Sequence, residues 1–463
     1  MKIGLLPLYI KLYDDVAYES FRKRLEPFYE KIAEKLKGEG FEVIKSSFCR
    51  LKDEFETAVK DFENCGAKCI VTLHMAYSPS LESASVLAKT YLPIVVLDTT
   101  ETFDFSPEQN SEEINFCHGI HGVMDMCNLL KRNHKIYAIA AGHYEKSDVI
   151  KRCAGFVRAA AGVSSLKNSK TGSIGGSFDG MGDFLISDKE IKNTFGVEVV
   201  YSDGKELAKL VSSVADKEIN EEIEKDNAIF IKTGEISEQS YRETVRSCLA
   251  VRKWIKNHNL SAFTVNFLEI RPENGITIMP FMEACKEMAA GVGYAGEGDV
   301  LTASITGALL RSFEKASFVE IFCPDWKNNT LFLSHMGEMN YALAVGKPEM
   351  KEIKFIYGQS SANPVVGYGC YKAGKAVFAN VYRDAEKFNL LIAPVEMLQP
   401  DKTDNFGGII RGWMKPEIPV HEFLEKISKA GATHHSSLVY DATVEQLEYF
   451  GELLGLNVVK VGI

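Results

Sequence analysis

Along the first third of the chain, short apolar runs alternate with stretches in which apolar residues recur every three to four positions. Lys2 to Leu6, Phe41 to Ile44, Cys69 to Leu73 and Ile94 to Leu97 predict buried strands, and Tyr18 to Lys37 predicts a helix between the first two. That alternation predicts a parallel sheet with helical crossovers. A strand over Lys135 to Ala141 and a helix over Ser147 to Ala160 extend it, until the polar, Gly-rich segment Ser164 to Gly182 interrupts the pattern. A second α/β unit follows, with strands predicted over Val197 to Val200 and Ala262 to Phe267 and helices over Lys205 to Val214 and Glu238 to Asn257. It closes on a helix-loop-helix region, Pro280 to Phe313. From about Lys315 the character changes: Phe318 to Phe322, Thr330 to Leu333, Ile353 to Tyr357, Ala376 to Tyr382 and Leu390 to Val395 are short β-rich runs separated by turn residues. An antiparallel barrel or sandwich is expected there, before helical patterns resume at Val420 to Ala430 and Val444 to Leu454. The predicted class is α/β: two doubly wound parallel-sheet domains, 1–168 and 169–314, followed by a β-rich, barrel-like domain, 315–463.

Composition narrows the partners. The net charge of -10 argues against the broad basic surface that nucleic acid or anionic lipid requires, so a small molecule or another copy of the chain is expected instead. Ten cysteines without a C-x-x-C pair predict reduced thiols and a cytoplasmic protein. The apolar start Met1 to Ile10 is too short for a signal peptide, and no run of about 18 apolar residues predicts a membrane span.

Three motifs point to chemistry their context does not support. Gly291-Val-Gly293-Tyr-Ala-Gly296 spells G-x-G-x-x-G, but a helical stretch precedes it, which predicts a loop between helices and not a dinucleotide site. Gly369 to Lys375 spells most of a P-loop, but Ala376 replaces the Mg-binding hydroxyl and a β-rich run follows, so a β-turn is expected. His118-x-x-His121 has helical spacing for a shared metal, a spacing that ordinary polar helix residues also show.

Four ionisable sites in the second half stand in surroundings unlike those of solvated charges. Glu297 is flanked by Gly296 and Gly298 just before a helical run that Asp299 is placed to cap. Glu320 shares a strand face with Phe318 and Phe322, where a carboxylate must protonate, pair or bind a cation unless that face is open to solvent. His335 ends an apolar strand, and His434-His435 sit in a turn between a helix and Leu438-Val-Tyr440. Two carboxylates with imidazoles suit Mn or Mg, and equally Co or Zn, as a mixed nitrogen and oxygen site.

In these segments the sequence resembles the L-arabinose isomerase family, within the broader group of arabinose and fucose isomerases. Tyr294-Ala-Gly-Glu297-Gly-Asp299 is similar to the family's glycine-flanked first metal glutamate, Phe318-Val-Glu320 to its second, Ser334-His335-Met336-x-Glu338 to its first metal histidine, and His434-His435 to its terminal pair. Upstream, Thr264-Val-Asn-Phe267 and Phe178-Asp-Gly-Met181 resemble segments whose Phe and Met line the sugar pocket. Two departures stand out. Leu6 to Tyr13 replaces a Gly-Ser-Gln-containing loop near the sugar, and in Cys117-His118-Gly-Ile-His121-Gly122 the family's Gln is His118 while its His is kept as His121.

The resemblance implies an Mn-dependent aldose-ketose isomerase, with Mg or Co as alternatives, working through a cis-enediol. Glu297, Glu320, His335 and His435 are the implied metal ligands, with Glu297 and Glu320 also exchanging protons. His434, Asp299 and Glu338 are implied sugar contacts or supports of the metal ligands, and Phe267, Met181, His118 and His121 implied sugar contacts, the last two from a neighbouring chain of a hexamer or trimer. The departures leave the sugar open, so an isomerase or epimerase for another sugar, or a non-catalytic sugar-binding protein, stands as the alternative.

Overall fold

A computed structural model describes residues 1–17, 20–400 and 404–463, so Tyr18, where the first helix was expected to start, lies outside the described residues. The chain divides into two units, Met1–Ser164 and Ser165–Ile463.

In the first unit, β1 (Lys2–Leu8), β2 (Glu42–Lys45), β3 (Ile70–His74), β4 (Ile94–Asp98) and β5 (Tyr137–Ala141) form one parallel sheet in the order β2-β1-β3-β4-β5. The chain runs from β1 to β2 on one side and then crosses to β3 on the other, as expected of a doubly wound sheet. Gly4 on β1 is required by packing: a Cβ there would lie 2.5 Å from the Phe62 ring. Phe62, Phe55 and Val59 of helix Lys52–Asn64 join Leu6, Leu8, Ile70 and Val96 in the unit's core.

The second unit opens with another parallel sheet. Its strands are β6 (Lys170–Ile174) and β7 (Glu198–Tyr201), then, after β8 (Ile231–Lys232), β9 (Ala262–Val265) and β10 (Gly293–Gly296), in the order β10-β9-β6-β7. Two of these depart from the sequence expectation: Lys170–Ile174 lies within the segment taken as an interruption, and Gly293–Gly296 is a strand where a loop was expected. β10 can be a strand because glycine lets helix Val300–Phe313 lie directly on it; a Cβ at Gly293 would sit 2.2 Å from the Ala303 carbonyl oxygen. The Gly369–Lys375 segment leads into a strand and not a helix, as its composition predicted.

The rest of the chain supplies β11 (Ala316–Asp325), β12 (Thr330–Ser334), β13 (Glu349–Glu352), β14 (Val365–Tyr368), β15 (Gly374–Arg383), β16 (Phe388–Leu398), β17 (Gly412–Pro416), β18 (His435–Tyr440) and β19 (Asn457–Lys460). Six of them close an antiparallel barrel in the order β15-β18-β11-β12-β17-β16, with β16 pairing back to β15, and β19 adds to β16 in parallel. Closure removes the exposed edges an open sheet would present. β13, β14 and β8 form a small separate sheet. The strand expected over Ile353–Tyr357 is not formed. Those residues follow β13, and Ile356 is exposed, so this apolar run has no sheet to enter. The α/β class with two parallel sheets and a β-rich barrel is the one the sequence predicted.

Helix Val300–Phe313 joins sheet to barrel. Nearly all its residues are buried, as suits a helix of apolar and small residues apart from Arg311, and it packs on β9 and β10 on one side and on β11 and β18 on the other. Its N-terminus therefore lies where both meet.

Candidate active site

Glu297 leaves β10 with its backbone in the left-handed region, at φ 61°, a conformation rare for a residue with a side chain. Its amide donates to the Val265 carbonyl at 3.0 Å, and the next amide, Gly298, donates to Thr264 Oγ1 at 3.0 Å. Gly298 is also at positive φ, 83°, and a Cβ there would lie 2.1 Å from the Gly176 carbonyl oxygen. The flanking glycine seen in the sequence is thus a steric requirement of the turn that holds Glu297. Asp299 then caps the buried helix, Oδ1 accepting from the Thr302 amide at 2.8 Å, while Oδ2 lies 2.9 Å from His435 Nδ1.

Barrel register assembles the other side. Glu320 on β11 pairs across to His435 on β18 and to Ser334 on β12, the residue before His335. Directly opposed residues on neighbouring strands bring their side chains together. Glu320 Oε1 lies 2.9 Å from His335 Nε2 and 3.2 Å from His435 Nε2, and Glu297 Oε2 lies 3.2 Å from His435 Nε2. Glu320 sits on an interior strand of the sheet, not at an open edge. Its expected shelter is half right: Phe318 is buried, but a bulge after Ile321 turns Phe322 out, leaving it 49% exposed.

Each imidazole is held through Nδ1 by a carboxylate. Asp299 serves His435, Glu338 Oε2 lies 2.5 Å from His335 Nδ1, and Asp183 Oδ2 lies 2.7 Å from His434 Nδ1. Glu338 is itself fixed by the Gly337 amide and the Tyr294 hydroxyl, both at 3.0 Å. Burial pushes the Glu297 carboxyl up, but its hydrogen bonds to His434 and His435 more than offset this and hold it at about 2. Glu320 is likewise pushed up by burial and brought well below the ordinary range by His335 and His435. In turn, burial lowers His335 while Glu338 and Glu320 raise it to about 10, and Asp183 and Glu297 raise His434 to about 9.

One ligand atom from each of Glu297, Glu320, His434 and His435 lies within 4.8 Å of the other three, the metal-competent group among the described residues. His335 stands outside that group, though nearer to Glu320 than His434 is to Glu297, which it approaches at 3.5 Å. Glu320 Oε1 is buried and has no hydrogen bond of acceptable geometry despite two close Nε2 atoms. Donor atoms that crowd together without an aligned proton fit a shared cation.

Phe267 follows β9 and packs on Phe178 at a ring separation of 5.5 Å and on Tyr357 at 5.1 Å; Met181 is half-buried in the loop after Phe178. His118 and His121 belong to the first unit, with rings 6.0 Å apart, and His118 Nε2 lies 3.0 Å from the Tyr13 hydroxyl. The two segments that depart from the family pattern therefore touch. Sequence reasoning missed Asp183, and also Phe184, whose ring stacks on His435 at 4.9 Å and 13°. No motif marks them, because 251 residues separate Asp183 from His434.

Comparison with known proteins adds the context of this geometry. Residues 187–313 match the family model of the L-arabinose isomerase central domain and residues 315–457 that of the L-arabinose isomerase C-terminal domain. The L-arabinose isomerase of Geobacillus kaustophilus is 23% identical, over 86% of this chain and 82% of its own length. Those of Herpetosiphon aurantiacus and Tolumonas auensis are 23% and 25% identical, over 90% and 88% of this chain and 85% and 83% of their own lengths. Fold, site and relatives together define a sugar isomerase, an intramolecular oxidoreductase. The chain belongs to the L-arabinose isomerase family.

Proposed function

We propose that the protein is a cytoplasmic, divalent-metal-dependent aldose-ketose isomerase, Mn being the preferred ion, with Glu297, Glu320, His335 and His435 as ligands. The observation that carries this is Glu320 Oε1, a buried carboxylate oxygen with two carboxylate-oriented imidazoles at 2.9 and 3.2 Å. His335 is preferred over His434 as fourth ligand because its side chain is 7% exposed against 41%. The more open His434 faces the sugar. A cation bound there supplies Lewis-acid stabilisation of charge developing on the sugar oxygens.

The chain's own groups carry the protons. Converting an open-chain aldose to a ketose moves hydrogen from C2 to C1 and a proton from O2 to O1. Glu297 and Glu320 are assigned these two transfers, one starting as the carboxylate base and the other as the protonated acid, each ending in the other's state. Asp299 and Glu338 orient the ligand histidines, a role in which carboxylates raise the basicity of the ring. Phe267 and Met181 form an apolar wall of the sugar pocket. We divide the chain into domains 1–168, 169–314 and 315–463, and assemble it as a hexamer or trimer in which His118 and His121 reach a neighbouring chain's site.

L-arabinose is the substrate the relatives' names suggest. A different sugar is favoured by one observation, the Tyr13 and His118 contact, which joins the two departures from the family pattern. A screen of aldoses for ketose formation, with Mn and after chelation, tests both readings. Ketose from any aldose only with metal supports the isomerase, and the best sugar settles its specificity; metal-independent sugar binding without turnover would leave a binding protein.

A further inference from the structure

The loop after β6 is tied down at both ends. Near its start, the Phe178 amide donates to the Glu297 carbonyl at 2.9 Å and Asn266 Nδ2 donates to the Ser177 carbonyl at 3.1 Å. At its far end, Asp183 Oδ2 accepts from both the His434 amide at 3.0 Å and His434 Nδ1 at 2.7 Å, and Phe184 stacks on His435. One short segment thus connects the turn holding Glu297 to the terminal histidine pair. Unlike Asp299 and Glu338, Asp183 is exposed, and its histidine is the open one of the three. The ring also packs on Phe184 at 5.8 Å and on His435 at 4.2 Å, but ring contacts do not choose which nitrogen faces inward; the two hydrogen bonds to Asp183 do.

We infer that Asp183 is a positioning residue: by taking both the amide and the Nδ1 of His434 it fixes the ring so that Nε2, 3.5 Å from Glu297 Oε2, is the one ring nitrogen left to meet a substrate hydroxyl. This rests on the isomerase reading for its consequence, though not for its geometry. Holding the ring in place lets a hydroxyl bind without ordering a free side chain, so the effect belongs on sugar binding and not on metal binding.

The test uses the full chain. In the metal-free protein, a slowly exchanging downfield imidazole N–H signal that disappears in His434→Ala is expected to disappear in Asp183→Ala and persist in Asp183→Asn, whose amide oxygen can still accept from both groups. With Mn present, Asp183→Ala is expected to raise KM for the best sugar by roughly tenfold, the worth of a charge-assisted hydrogen bond, with Mn affinity within about twofold of wild type. Asp183→Asn restores most of that loss. In a His434→Ala background, removing Asp183 adds nothing further, since residues acting through one another are not additive. A persistent N–H signal and an unchanged KM in Asp183→Ala overturn the proposal, as does full additivity with His434→Ala. A wild type that forms no ketose from any aldose overturns the isomerase reading instead. In that case the N–H signal still decides the arrangement, its loss in Asp183→Ala supporting it and its persistence overturning it.

Discussion

At the scale of single residues, the site repeats one device three times: a carboxylate holds Nδ1 of a histidine so that Nε2 is left facing Glu297 or Glu320. Glu297, Glu320, His335 and His435 stood out in the sequence because charge interrupts apolar or glycine-rich surroundings. Asp183 did not, because an aspartate in a polar loop is unremarkable until its partner arrives. Glu320→Gln keeps size and a ligand oxygen but removes the proton acceptor. We expect it to bind Mn, more weakly, and to turn over the best sugar roughly two to four orders of magnitude more slowly. A near-wild-type rate in steady-state assays would remove the two-carboxylate mechanism. Calorimetry separates the histidines: His335→Ala should weaken Mn binding by about 100-fold or more, whereas His434→Ala should leave it nearly intact. The reverse result would hand the fourth position to His434.

At the scale of elements, β11, β12 and β18 decide the site, because their register sets Glu320 opposite His435 and beside His335. Sequence periodicity shows which residues share a strand face but not which strands are neighbours. It also loses strands whose residues are small or charged. β6, Lys170–Ile174, and β10, Gly293–Gly296, carry few β-branched or large apolar residues and are strands because helices and neighbouring strands bury them. β13 is charged, Glu349–Glu352, and pairs with β14 and β8 while the apolar run after it does not. The Glu297 turn depends on Gly298, so Gly298→Ala should destabilise the protein by about 2 kcal/mol or more, through strain at positive φ and the clash with the Gly176 carbonyl. It should also impair Mn binding. Unchanged denaturant midpoint and metal affinity would show that the turn relaxes.

At the scale of the whole molecule, protonation, metal and stability are linked. Glu297 is held at about 2, so its contribution is present above its ordinary value of 4.5 and is lost as pH falls toward 2. His335 and His434 are raised to about 10 and about 9, so theirs is complete below 6.5 and is lost as pH rises through 9 to 10. Metal binding needs neutral imidazoles and so gains as pH rises. The gap in Tm between Mn-loaded and chelated protein should therefore widen from pH 6 to pH 9; a gap that narrows would separate the histidines from the metal. His118→Gln, which replaces the imidazole that meets Tyr13, should shift sugar preference without changing Mn affinity, and equal loss on every sugar would count against a specificity role. The sequence by itself determined the first parallel sheet, a second α/β unit, the β-rich end, and the residues from which a metal site can be made, because strand and helix periods and charges in apolar settings are local properties. The tertiary structure decided that the barrel closes, which strands adjoin, that Phe322 turns outward, and that Asp183 meets His434. Those are contacts between segments far apart in the chain, and only the packing of sheet, buried helix and barrel fixes them.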